Sequence, residues 1–288
     1  MNRQHLEIRE LAAWGFDPQA DRGSLVCEDL EDAARKAQHR LKVRNPYQEE
    51  SPVSTEETGI QADALAARRE SIAASGEFDG LVWQPAIVDL RKLIAFQRRI
   101  GYANGDQFPI ERMADKHRLL DLALPTTYPQ PSYEYSAAPD GKSLTIRTQS
   151  PNLAVRFACG MDSSLDPIRL VAQTGSPYIE VASYRGRWFL RDGYHRSFLL
   201  LKQGVRLVPA VVVCVETLAG LGAIGHKFFM EDILLSEQPP MVTDFLDEAL
   251  VVCYRRSSQE RVLRVSIQEL EDPMRFSSHT GFAREETR

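Results

Sequence analysis

Residues 189–213 read FLRDGYHRSFLLLKQGVRLVPAVVV. An apolar strand runs into Asp192-Gly193-Tyr194-His195-Arg196, a helix follows and stops at Gly204, and a β-branched strand closes the segment. Tyr194, Phe198, Leu201 and Val205 recur at i, i+4, i+7 and i+11, so they share one helical stripe. His195 and Arg196 lie off that stripe, and the core does not need them. The first amides of a helix lack internal partners, and the aligned peptide dipoles put partial positive charge there. Such an end binds phosphate readily where a glycine lets the backbone approach. Cations in a first turn are unfavourable by roughly a few tenths of a kcal/mol, so His195 and Arg196 signal a bound anion or an acidic neighbour. The competing reading is purely structural: Asp192 caps the helix, Gly193 makes the turn, and the two cations pair with surface carboxylates.

Composition narrows the function classes. With 288 residues the chain has room for one large domain or two modest ones. The longest apolar run, Leu207 to Val215, is less than half a membrane span, so a buried strand is expected and no membrane partner. The amino terminus has no apolar h-region, and no secretory signal is expected. Cys27, Cys159, Cys214 and Cys253 are far apart, without CxxC spacing, which argues against structural zinc and a disulfide framework. A cytoplasmic protein with reduced thiols is the expectation. A net charge of −5 opposes a surface that grips nucleic acid throughout. Locally, Arg185, Arg187, Arg191, Arg196, Lys202 and Arg206 face only Asp192 between residues 185 and 206, either as a basic patch or as a solvated rim.

The rest of the chain divides by pattern. A helical amino-terminal extension is expected over residues 1–80, with helices near 28–42 and from Glu56 to Ser75 and a linker near 44–55. LVWQPAIVDL suggests a strand, RKLIAFQRRIGY a helix closed near Gly101, and Glu111 to Ala123 another helix. SYEYSA and SLTIRTQ alternate in period two around Pro139-Asp140-Gly141-Lys142 and predict a hairpin. LAVRFACG reads as a strand, and DPIRLVAQTG as a helix with Asp166 at the N-cap and Gly175 after its end. PYIEVASY and RWFLRD predict a hairpin around Arg185-Gly186. After residue 216, helix and loop precede a last hairpin, ALVVCYRR with RVLRVSIQEL, and a polar tail over 272–288 expected to be disordered.

The order strand, D-G-Y-H-R, helix, Gly204, V-R-L-V-P-A-V-V-V resembles the ParB/sulfiredoxin superfamily, which places a G-x-x-R motif between strand and helix before a VP-containing strand. The resemblance is best over Asp166 to Val215 and extends loosely back to Pro85–Asp89. It implies an α/β (α+β) mixed-sheet domain over 81–216, followed by an α+β segment over 217–271 packed on it. It also implies nucleotide phosphates at the helix end. Gly193, Tyr194, His195 and Arg196 become phosphate contacts, with Arg191 and Lys202 as supporting cations and Asp192 and His195 as catalytic candidates. Sulfiredoxins carry a catalytic cysteine where this chain has Tyr194, which speaks against sulfinic-acid reduction. Partition ParB proteins read G-E-R-R and add a helix-turn-helix domain that is not evident after residue 216. The superfamily's free-serine kinases, with a D-G-H-x-R style of motif, are more similar, and their chemistry needs a carboxylate base. Asp192, Glu180 and Asp89 are the candidates for it.

The resemblance thus implies ATP, ADP or CTP with Mg²⁺, and NTP hydrolysis or phosphoryl transfer to a small molecule or protein. Its alternatives are a non-catalytic regulatory or protein-interaction module that keeps the fold and, third, nucleic-acid binding or cleavage, which the acidic total opposes. His226, Glu231 and Asp232 fit no metal-ligand spacing and read as a solvated or interface face.

Overall fold

The computed structural model describes residues 5–17, 19–23, 25–54, 60, 62–103, 116–126, 133–148, 154–158, 169–173, 176–257 and 260–269. The protein is of mixed α and β class, and the chain divides into two compact units, Met1–Gln130 with Thr174–Ser258, and Pro131–Gln173 with Gln259–Arg288.

The first unit is organised by a five-stranded sheet. In spatial order it runs β2 (Val82–Asp89), β11 (Leu207–Cys214), β9 (Glu180–Tyr184), β10 (Arg187–Asp192) and β3 (Ile94–Ala95). β11 lies antiparallel to β2 and parallel to β9, β9 and β10 form the expected antiparallel hairpin, and β3 joins β10 in parallel. β11 is buried at nearly every position, which matches its run of valines. Pro209 lacks an N–H, and the strand tolerates it for a positional reason. The Val211 amide bonds Ile179 O toward β9, so position 209 turns its nitrogen the same way, before pairing with β9 begins at Val211.

A second sheet of this unit places β1 (His5–Leu11) between β12 (Val251–Ser257) and β4 (Arg99–Ala103), both antiparallel to it. Helix α1 spans Cys27–Leu41, α2 Ala62–Ser75 and α3 Lys116–Ala123, near where periodicity placed them. Residues 56–59, 61 and 111–115 of the expected helices lie outside the described residues. Helix α4 (Tyr194–Lys202) buries Tyr194, Ser197, Phe198, Leu199 and Leu200. At roughly 1.5–3 kcal/mol for each large apolar side chain, that burial outweighs any penalty from cations in its first turn. Leu201 and Val205 pack against the same core from partly buried positions.

Several expectations are corrected. Residues 1–80 are not a purely helical extension, because β1 is the central strand of a sheet shared with β12 from the other end of the chain. RKLIAFQRRIGY forms no α-helix: a 3-10 turn at Leu90–Lys92 leads into β3 and β4. Leu93, Ile94, Ala95 and Phe96 are buried consecutively, and a continuous apolar run reads as helix or strand until its backbone partners are known. The partners are strand-like, since Ala95 N donates to Pro240 O and Phe229 N to Phe96 O. Within ETLAG…FLDE the helices α5 (Leu218–Leu221) and α6 (Glu231–Leu234) are single turns, and Val242–Leu246 is a 3-10 turn.

The second unit contains the expected hairpin of β5 (Tyr133–Ala137) and β6 (Ser143–Thr148). It also holds β7 (Ala154–Ala158) paired with β8 (Arg169–Gln173). DPIRLVAQTG therefore contains a strand rather than a helix, with Asp166 and Gly175 outside the described residues. β13 (Arg261–Ser266) pairs with β6, so the expected hairpin of β12 with β13 does not form. The divisions expected at residues 80 and 216 do not follow these units. Period-two alternation identified β5 and β6, but alternation carries no information about which further strand pairs with them.

Candidate functional site

β10 delivers Asp192 to the start of α4, opposite Glu180 at the start of β9, after a bulge between Leu190 and Asp192. Gly193 follows at φ 87°, ψ 21°, in the left-handed region. A Cβ there would meet Ile179 Cγ1 at 3.0 Å and Ile179 Cα at 3.2 Å, so both conformation and space demand glycine. The Asp192 carboxylate accepts the Gly193 amide at 2.5 Å on Oδ1 and the Ser176 amide at 3.3 Å on Oδ2. Burial pushes this carboxyl up, opposed by those amides and by the Arg196 and Arg191 guanidiniums.

Glu180 is only 3% exposed, and Arg191 Nη1 donates to its Oε2 at 2.7 Å. Burial is the main reason its carboxyl is pushed up to about 7, against the pull of Arg191 and Ser176, while Asp192 and Glu77 push the same way as burial. Two carboxyl groups thus meet at one end of the hairpin, and burial pushes both of them up.

Arg196 takes a different place from the one its sequence position suggests. Its Nη1 donates to Leu122 O at 3.1 Å and to Pro177 O, and its Nη2 to Tyr178 O at 2.7 Å. The guanidinium clamps the loop before β9 to the end of α3, and burial lowers its pKa against the pull of Asp192 and Glu180. Tyr194 is a buried anchor. Its hydroxyl accepts the Phe96 amide at 2.9 Å and the Gln97 amide at 3.4 Å, and its ring meets Phe96 and Phe245 edge-on. Burial raises its phenol pKa strongly. His195 is half-buried, with its ring near-parallel to that of Tyr102 on β4 at a centroid distance of 6.4 Å.

The structure therefore brings Asp192, Gly193, Glu180, Arg191 and Arg196 together, with His195 in the first turn of α4. Lys202 is not among them, because eight residues of helix rise separate it from Tyr194 by about 12 Å. Asp89 is elsewhere too. It sits opposite Leu207 and caps its own 3-10 turn, accepting the Arg91 amide at 3.0 Å and the Arg91 Nη2 at 2.7 Å. Burial opposes ionisation of Asp89, yet the bonds from Arg91 hold its carboxyl below the usual range. His226, Glu231 and Asp232 do not converge: His226 meets Asp17, Glu231 meets Tyr184 and Arg185, and Asp232 accepts its neighbour's amide.

Sequence reasoning missed Ser176 and Tyr102, and no local pattern marks either. Among the described residues no group of three or more His, Cys, Asp or Glu side chains is arranged to hold a metal. No described helix is long and apolar enough to cross a membrane. No protein-family model, curated protein or solved structure matches this chain.

Proposed function

We propose that this chain binds a nucleotide by its phosphates at the Gly193 turn and carries out phosphoryl chemistry there, either hydrolysis or transfer to a small molecule or protein. The observation that carries this reading is Glu180, a buried carboxyl pushed up to about 7 beside Arg191 and Asp192, next to a helix that starts at a left-handed glycine. A base of that strength takes a proton from water or an alcohol near neutral pH while the oxygen attacks phosphorus. Arg191 and His195 are the groups proposed to meet the phosphate charge, and Mg²⁺ accompanies a triphosphate, as phosphoryl transfer requires. The ParB/sulfiredoxin-like resemblance of the D-G-Y-H-R segment supports the same ligand class. Tyr194, anchored on the Phe96 and Gln97 amides, leaves no thiol for sulfiredoxin chemistry.

The test is thermal stability of the purified chain with ATP, ADP and CTP, each with Mg²⁺. A rise with at least one nucleotide that is reduced in Arg191→Ala supports the reading, and failure of all three to raise the melting temperature sinks it. One observation favours a non-catalytic module instead: the Arg196 fork is engaged by backbone carbonyls. That alternative predicts nucleotide binding with no turnover, and a Glu180→Gln variant that binds as the parent does.

A further inference from the structure

A second cluster of ionisable groups lies on the three-stranded sheet. The Glu10 and Asp17 carboxylates are fully buried there. Glu10 is fully matched: Arg22 donates Nε at 2.8 Å and Nη2 at 2.7 Å, and the Tyr254 hydroxyl adds a bond at 3.0 Å. Asp17 accepts the Gln19 amide at 2.9 Å and faces Arg99 Nη2 at 3.4 Å. Both Asp17 oxygens also face His226 Nδ1, at 3.0 and 3.1 Å. Arg98 stands beside them, donating to Phe228 O and Gly15 O. Three guanidiniums against two carboxylates leave the cluster positive by one charge before His226 is counted.

An acceptor carboxylate at Nδ1 requires N–H on that nitrogen, which leaves the lone pair of the neutral ring on Nε2. The side chain is 41% exposed, and Nε2 has no hydrogen-bond partner among the described residues. A buried carboxylate thus orients an imidazole whose free nitrogen opens to solvent, the arrangement of an activated nucleophile.

We propose that His226 is a phosphoryl acceptor that reacts with small acyl phosphates. The Nε2 lone pair attacks phosphorus, the bond from phosphorus to the acyl oxygen breaks, and the carboxylate leaves with that electron pair. The N–H on Nδ1 stays in place, and Asp17 offsets the positive charge the ring acquires. The net positive cluster draws the dianionic donor. The proposal is independent of the Gly193 site.

The full chain is incubated with acetyl phosphate, and acid-labile phosphoryl adducts are mapped by mass spectrometry. His39, exposed on the last turn of α1, serves as the internal reference. The expected result is labelling at His226 well above His39, abolished in His226→Gln and slowed on the order of tenfold or more in Asp17→Asn. If Asp17→Asn does not fold, the ratio of His226 to His39 labelling in the unaltered chain decides. Equal labelling of the two histidines, no labelling at all, or an unchanged rate in a folded Asp17→Asn protein overturns the proposal.

Discussion

Replacing Arg196 with alanine separates its two readings, loop clamp and phosphate contact. In the folded protein its guanidinium bonds three carbonyls, of Leu122, Pro177 and Tyr178, and lies near the Asp192 and Glu180 carboxyls. A hydrogen bond to a charged group contributes roughly 1.5–3 kcal/mol. Three of them overshoot, because the variant also recovers the cost of burying the guanidinium. What remains is the cost of stranding its partners, about 3–5 kcal/mol for one member of a buried charged network. Urea denaturation followed by circular dichroism measures the change. Arg196→Lys recovers only part of it, since one ammonium cannot span three carbonyls in the plane of the fork. A loss below about 1 kcal/mol in Arg196→Ala would refute the clamp, because a solvated arginine contributes no more than that.

Three further outcomes follow from the same geometry. Gly193→Ala loses about 1–2 kcal/mol from the left-handed backbone, plus a further penalty at Ile179, measured by the same denaturation. Glu180 binds its proton more tightly folded than unfolded, so its stabilising effect is complete below about 4.5 and is lost as pH rises through about 7. The parent should therefore weaken between pH 5 and 8 relative to Glu180→Gln by about 3 kcal/mol, seen in denaturation curves across that range. Tyr194→Phe strands the Phe96 amide and loses about 1–3 kcal/mol, with faster hydrogen exchange at residues 96 and 97.

Local signals located the elements of residues 176–214, but the cap signals of DPIRLVAQTG pointed to a helix where a strand forms. The β9–β10 hairpin, the Gly193 turn, α4 and β11 follow from apolar runs broken at Arg185-Gly186, a glycine and a helical stripe. The site was legible in part. Asp192 and Gly193 stand where the junction places them, and Glu180 was one of three carboxylates named. The carbonyl partners of Arg196 were not legible, because a helix position fixes the Cα, whereas a long side chain follows whichever acceptors the fold supplies. Those acceptors come from residues 122, 177 and 178, which no local pattern links to residue 196. The same limit hid the pairing of β1 with β12, and of Asp17 with His226 some two hundred residues away.

Amide NMR of the isotope-labelled chain during a titration with Mg²⁺-ATP, with CTP in parallel, tests for phosphate binding at the Gly193 turn. A phosphate site there gives saturable shifts concentrated at the amides of residues 193–196 and at Arg191, abolished by Gly193→Ala. Nucleotide shifts that cluster elsewhere, or none at millimolar ligand, would contradict it.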